Sequence, residues 1–462
     1  MLFHSTRGKD SNKSFEEVLM QGLASDGGLF MPNEWPQVDI SKLKEMNSFI
    51  EIAKYIVPLY TKSSFTDEQV QKILDNTWHS FSDSNLAKIK ELDDSKIILE
   101  LFHGPTAAFK DFGLQLAASF FNESLIRSNK TAIVLGATSG DTGSAAIDSC
   151  KRFDSIKSFI LLPEGNMSEV QRRQMTTVNS DNVFVLKVNG TFDDCQNIVK
   201  EGFKVRSFLK NDQYLLAVNS INWVRIIGQI CYYFYASLKI SKFKEKLSFS
   251  VPTGNFGNVF ACYSAFKMGM PLNKIIVAVN NNNILHRFFE NNDYSKNVVK
   301  ETISPSMDIS IASNFERLIY DFYANRDSNL CSELYSNFPE YPISVEKELW
   351  KKSKELFASY TVDDISTVTA MRDVYKSYDY LVDPHTAVAL ESSEKLKGLY
   401  TGKNIILATA HPAKFPKILE EASLKISSVP ERLSLIFNKE ERFFDLPASK
   451  EKIFNFISDH NK

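Results

Sequence analysis

A lysine amine becomes a nucleophile only where its surroundings keep it neutral, and one lysine of this chain sits in such a stretch. Lys110 lies in His103-Gly104-Pro105-Thr106-Ala107-Ala108-Phe109-Lys110-Asp111-Phe112-Gly113, directly after an apolar run. Gly104-Pro105 fixes a turn, and Phe109 and Phe112 are expected to bracket the amine. Most lysines are solvated surface charges, so this context makes Lys110 a candidate and nothing more.

Two further stretches have the composition of anion-binding loops. In Ile133-Val134-Leu135-Gly136-Ala137-Thr138-Ser139-Gly140-Asp141-Thr142-Gly143, a strand-like run enters a loop of Gly, Ser and Thr before a small-residue helix. Ser250-Val251-Pro252-Thr253-Gly254-Asn255-Phe256-Gly257-Asn258 repeats that logic. Glycines let a ligand approach the backbone, and the free N–H groups of a helix start attract carboxylate or phosphate. Two such loops could grip two anionic groups; two ordinary strand-to-helix turns are the alternative reading. Neither loop has the spacing of a dinucleotide or P-loop motif. A fourth stretch, Leu407-Ala408-Thr409-Ala410-His411-Pro412-Ala413-Lys414, ends a strand in polar residues. His103, His385 and His411 read as hydrogen-bonded interior residues, since no HExxH or clustered His/Cys spacing accompanies them. No GxSxG elbow is present.

Short apolar runs position these loops. Residues 97–102, 131–135, 158–162, 183–188, 214–218, 247–251, 275–279 and 405–408 read as buried strands, with helix-length segments at 113–128, 144–153, 192–208 and 221–238. This alternation predicts an α/β fold of parallel sheet with flanking helices. The pattern divides the chain into an N-terminal segment 1–96, a unit 97–220, a unit 221–430 and a tail 431–462. Residues 281–366 lack the alternation and read as a helical insertion. Net charge is only −2, so no electrostatic excess calls for nucleic acid or anionic membrane. The uncharged stretch 247–266 is interrupted by Pro252, Gly254 and Asn255, which argues against a membrane span. Five cysteines, an odd number without a CxxC pair, point to a reducing compartment, and we expect a cytoplasmic protein.

Together these stretches resemble threonine synthase, in the longer bacterial and fungal branch of that family. The resemblance runs through Ser5–Gly8, Gly22–Pro32, Leu101–Gly113, Ala137–Ala145, Val218–Trp223, Val251–Asn258, Ser306–Ile309, Pro384–Ala389 and Thr409–Phe415. It implies a pyridoxal-phosphate enzyme with two open twisted sheets, the fold shared with tryptophan synthase β chain. On that resemblance Lys110 carries the cofactor and acts as catalytic base. Gly254, Asn255, Phe256 and Asn258 hold its phosphate, and Thr409 faces its ring nitrogen. Thr138, Ser139, Gly140, Asp141 and Thr142 would bind the substrate carboxylate. Asp141 stands where cysteine synthase and the dehydratases usually carry Asn, which favours threonine synthase over them. The implied reaction turns O-phospho-L-homoserine and water into L-threonine and phosphate, in a monomer or homodimer that needs neither nucleic acid nor membrane. Arg7, Arg172 and Lys414 are candidates for the substrate phosphate.

Overall fold

The computed structural model describes residues 1–138, 140–165, 167–426 and 429–461. Among these residues two mainly parallel sheets with flanking helices form, the fold class expected from the sequence. The six-stranded sheet runs, edge to edge, Phe357–Thr361, Leu272–Val279, Leu247–Pro252, Asn404–Ala408, Lys96–Glu100, Lys88–Glu91. Only the last pair is antiparallel. The five-stranded sheet runs Phe444–Pro447, Val183–Asn189, Ile156–Pro163, Thr131–Ala137, Gln213–Leu216, and is parallel throughout. Every residue of Leu247–Pro252 and Asn404–Ala408 is buried, as strands covered on both faces require. Polar members of these strands bond to one another: Asn404 Nδ2 donates to Ser250 Oγ at 2.8 Å. A small antiparallel ribbon pairs Phe3–Ser5 with Phe30–Pro32. Among the described residues no helix is long and apolar enough to cross a membrane.

Strand partners cut across the linear divisions of the chain. Lys96–Glu100, at the start of the 97–220 segment, hydrogen-bonds with Asn404–Ala408 near the far end of the chain. Phe444–Pro447, in the tail, forms the edge of the five-stranded sheet. Phe357–Thr361, inside the stretch read as a helical insertion, forms the edge of the six-stranded sheet. Periodicity marks a segment as a strand but carries no information about its neighbour. The α-helices lying within that stretch, Ile284–Asn291, Phe315–Leu318, Ser328–Ser336 and Lys347–Ser353, are short.

Lys110 is the first residue of the helix Lys110–Ser128, which crosses the helix Trp223–Ser241 at a pair of glycines. A Cβ on Gly113 would lie 2.9 Å from Arg225 O, and one on Gly228 would lie 2.9 Å from Phe112 O. The two backbones are therefore in contact, and the start of the lysine helix has no room to shift. Phe112 does not bracket the Lys110 amine. Residues two apart on a helix point to different sides, and the Phe112 ring instead packs in the core with Phe49, Phe81 and Tyr232. Gly228→Val should destabilise the protein by about 1–3 kcal/mol through overpacking, seen as a lower urea midpoint. An unchanged midpoint would refute the tight crossing.

Candidate active site

The lysine turn is fastened to the end of the strand Asn404–Ala408. Phe109 N–H donates to Thr409 O at 2.9 Å, and His411 N–H donates to Ala107 O at 3.1 Å. These bonds place buried Thr409 beside the turn that carries Lys110. Burial pulls the Lys110 amine down to about 8; Asp141 opposes the shift, while Lys414 and Arg225 add to it. A substantial neutral fraction near neutral pH follows, which is what a nucleophile or base requires.

Gly254, Asn255 and Phe256 follow the strand Leu247–Pro252 and lead into the helix Gly257–Lys267, of which Asn258 is the second residue. No side chain caps this helix, whereas the helix starting at Asp141 has its Gly143 N–H taken by Thr138 Oγ1, and the helix starting at Lys110 has its Asp111 and Phe112 N–H groups bonded to Ala108 O and Phe109 O. By contrast, Glu169–Thr176, Phe192–Val205 and Pro384–Lys395 start behind Ser168, Thr191 and Asp383, whose side chains accept first-turn N–H groups. The first N–H groups of an uncapped helix lack intrahelical acceptors and are open to an anion. Gly254 admits a second loop, since a Cβ there would come within 3.1 Å of Met307 Cα. Asn258 is buried with its orientation fixed: Oδ1 accepts from the hydroxyls of Tyr232 and Tyr233. Its Nδ2 is buried with no protein partner, a donor held in place for something else.

The loop after the strand Thr131–Ala137 faces the same space from the other sheet. Thr138 Oγ1 accepts from Gly140 N–H at 3.1 Å and Gly143 N–H at 3.0 Å, which shapes the turn. Thr142 is half-buried in the first turn of Asp141–Cys150; Ser139 lies outside the described residues. Asp141 is the hub. Its Oδ1 accepts from Lys414 Nζ at 2.7 Å and Gln171 Nε2 at 2.8 Å, and its Oδ2 from Ser306 Oγ at 3.3 Å. Burial would raise this carboxyl, but Lys414 and then Lys110 hold it well below the usual carboxylate range.

Sequence reasoning does not single out Gln171, although the capping-box spacing of Ser168 and Gln171 is there to be read. Its Oε1 accepts from Ser168 N–H at 3.4 Å, which turns Nε2 toward Asp141. Ser306 N–H in turn donates to His385 Nε2 at 3.1 Å, and Nδ1 of that ring bonds Asp383 at 2.8 Å. His103 bonds Glu100 at 2.7 Å, and His411 accepts from Ala413 N–H at 3.1 Å.

The three cations considered for a substrate phosphate all have carboxylate partners. Arg7 grips Glu316 through Nε and Nη2 at 3.0 and 2.8 Å, Arg172 grips Glu441 at 2.8 Å, and Lys414 pairs with Asp141. Arg225 differs. It is buried, with Nη1 donating to Val218 O at 3.2 Å and Nε without a partner. No carboxylate pairs with it among the described ion pairs, and burial lowers it to about 10. In the sequence it reads like any other helix arginine.

Comparison with known proteins decides the family. Family models described as "Threonine synthase N terminus", "Pyridoxal-phosphate dependent enzyme" and "Threonine synthase, C-terminal" match residues 2–78, 86–336 and 386–457. A threonine synthase from Pseudomonas aeruginosa is 42% identical, covering 100% of this chain and 98% of its own. The chain belongs to the threonine synthase family. Two solved threonine synthases have the same fold over the whole chain. That from Brucella melitensis, with PLP bound, superposes with a TM-score of 0.95 at 35% identity, covering 100% of this chain and 99% of its own. That from yeast gives 0.92 at 36%, covering 100% and 98%.

Pyridoxal phosphate is the cofactor of this threonine synthase-family chain, and the residues present fit it. Lys110 offers an amine near neutrality, while the uncapped helix start and the unpartnered Asn258 Nδ2 offer donors to a phosphate. Asn258→Ala should therefore weaken cofactor binding roughly tenfold, the effect of about one hydrogen bond, in a titration of the cofactor-free protein. Undiminished affinity would place the phosphate elsewhere.

Proposed function

We propose that this chain converts O-phospho-L-homoserine and water to L-threonine and phosphate, with pyridoxal phosphate held on Lys110. The observation that carries the reading is its 42% identity, along its full length, to the Pseudomonas aeruginosa threonine synthase. When bound, the cofactor would supply a conjugated ring that takes up electron density released by proton removal from the substrate. The chain's own residues supply the rest. With the cofactor in place, the Lys110 amine would take and return protons at the substrate's Cα and Cβ. Its amine suits both directions near neutral pH, because burial brings it down to about 8. Gly254–Asn258 hold the cofactor phosphate, Thr409 offers a hydroxyl to the ring nitrogen, and Thr138–Thr142 receive the substrate carboxylate at the start of the helix Asp141–Cys150.

Arg225 is our candidate for the substrate phosphate. It is a buried cation whose Nε lacks a partner, and it lies near enough to Lys110 to depress that amine. A buried guanidinium without an anion is costly, and a bound phosphate would relieve that cost. All the groups named come from one chain, so the reading suits a monomer or a homodimer and calls for no nucleic acid. A cytoplasmic setting agrees with five buried cysteines that remain free thiols.

Incubation of the holoprotein with O-phospho-L-homoserine should release threonine and phosphate in equal amounts, and Lys110→Ala should abolish both products. Phosphate release without threonine would overturn the reading. Arg225→Gln should raise KM for O-phospho-L-homoserine roughly 10–100-fold, the worth of a charge-assisted hydrogen bond, with cofactor affinity unchanged. A selective loss of cofactor affinity would instead assign Arg225 to the cofactor phosphate.

A further inference from the structure

A carboxylate in a loop meant for a carboxylate is a physical contradiction. Asp141 is 3% exposed and opens the helix whose N-terminus faces the cleft, so its charge sits where an incoming carboxylate would be repelled. The contradiction is resolved from the opposite sheet. Lys414, fully buried, follows the strand Asn404–Ala408 and places Nζ 2.7 Å from Asp141 Oδ1. The same Nζ donates to Thr106 O at 2.8 Å, four residues before Lys110. Gln171 and Ser306 complete the shell of Asp141 with neutral donors, so Lys414 is the cation in direct contact with it.

We propose that Lys414 is a positioning residue that neutralises Asp141, so that the start of the helix Asp141–Cys150 can accept a substrate α-carboxylate, and that the two residues work only as a pair. The pair also joins the substrate loop of one sheet to the lysine turn of the other, fixing the distance between carboxylate and base. The inference rests on the functional reading above and adds the reason a buried lysine stands there.

The test uses L-threonine and L-threoninamide, which differ in the presence of the carboxylate. Their binding to four holoproteins is read from the cofactor's visible absorbance: the parent, Lys414→Met, Asp141→Asn and the combined variant. Lys414→Met leaves Asp141 uncancelled and should weaken L-threonine about tenfold or more while changing L-threoninamide less than about threefold. The combined Asp141→Asn, Lys414→Met protein buries no charge at this place and should bind L-threonine within about threefold of the parent. If Lys414→Met fails to fold, the combined variant still decides. A combined variant that loses L-threonine while keeping L-threoninamide means that Lys414 contacts the ligand carboxylate itself, which overturns the proposal. Equal loss of both ligands in Lys414→Met overturns it as well. A parent that binds neither ligand overturns the functional reading on which the pair rests, and that outcome is distinct from the others.

Discussion

A negative charge taken out of water must be matched, and the site is arranged around one such charge. Moving a carboxylate into a protein interior costs several kcal/mol unless cations and donors surround it. Asp141 draws its partners from separate parts of the chain: Lys414 from beyond the six-stranded sheet, Gln171 from the helix Glu169–Thr176, and Ser306 from the loop under Gly254. Each partner is itself held by another bond. Gln171 is fixed by its cap, Ser306 by His385, and Lys414 by Thr106 O. The contacts of this one carboxylate thus join the lysine turn, the loop beside Gly254 and the start of the helix Asp141–Cys150.

That cleft lies at the carboxyl ends of parallel strands, where helix starts converge in open α/β sheets. Two non-glycine residues there adopt the left-handed conformation, Ala107 with φ 57° and Phe256 with φ 62°. Such a backbone costs an ordinary residue about 1–2 kcal/mol. Ala107 is held by Ala413, Val170, Leu433 and Ile436, and the Phe256 ring meets Phe315 edge-on at 5.1 Å. Packing in the surrounding fold therefore maintains two turns that the local sequence disfavours, one before Lys110 and one before the helix Gly257–Lys267.

Much of this was legible beforehand because burial writes itself into composition. The central strands are apolar runs, and the loops that follow them are rich in glycine, so both could be placed from spacing alone. Pairing could not. Phe357–Thr361 and Phe444–Pro447 are sheet edges with polar or exposed residues, and neither has the continuous apolar character of the strands between them. Lys110 stands out in the sequence by its apolar, turn-bounded context, and Asp141 only through the resemblance to a known family. The candidate site was illegible where an ordinary residue gains meaning from its surroundings. Arg225 matters for the partner it lacks, and Phe112 was misdirected because its neighbour Lys110 begins a helix and does not sit in a loop.

The pairing of Lys96–Glu100 with Asn404–Ala408 joins segments roughly three hundred residues apart, and the lysine turn is bonded to the end of that same strand. Closing so large a loop costs entropy that is recovered only when the distant strands meet, which makes such contacts late and slow to form. Lys110 therefore has no complete setting in a partly folded chain, however complete its neighbouring helices are. Full assembly of the lysine turn therefore waits until the two ends of the sheet have found each other.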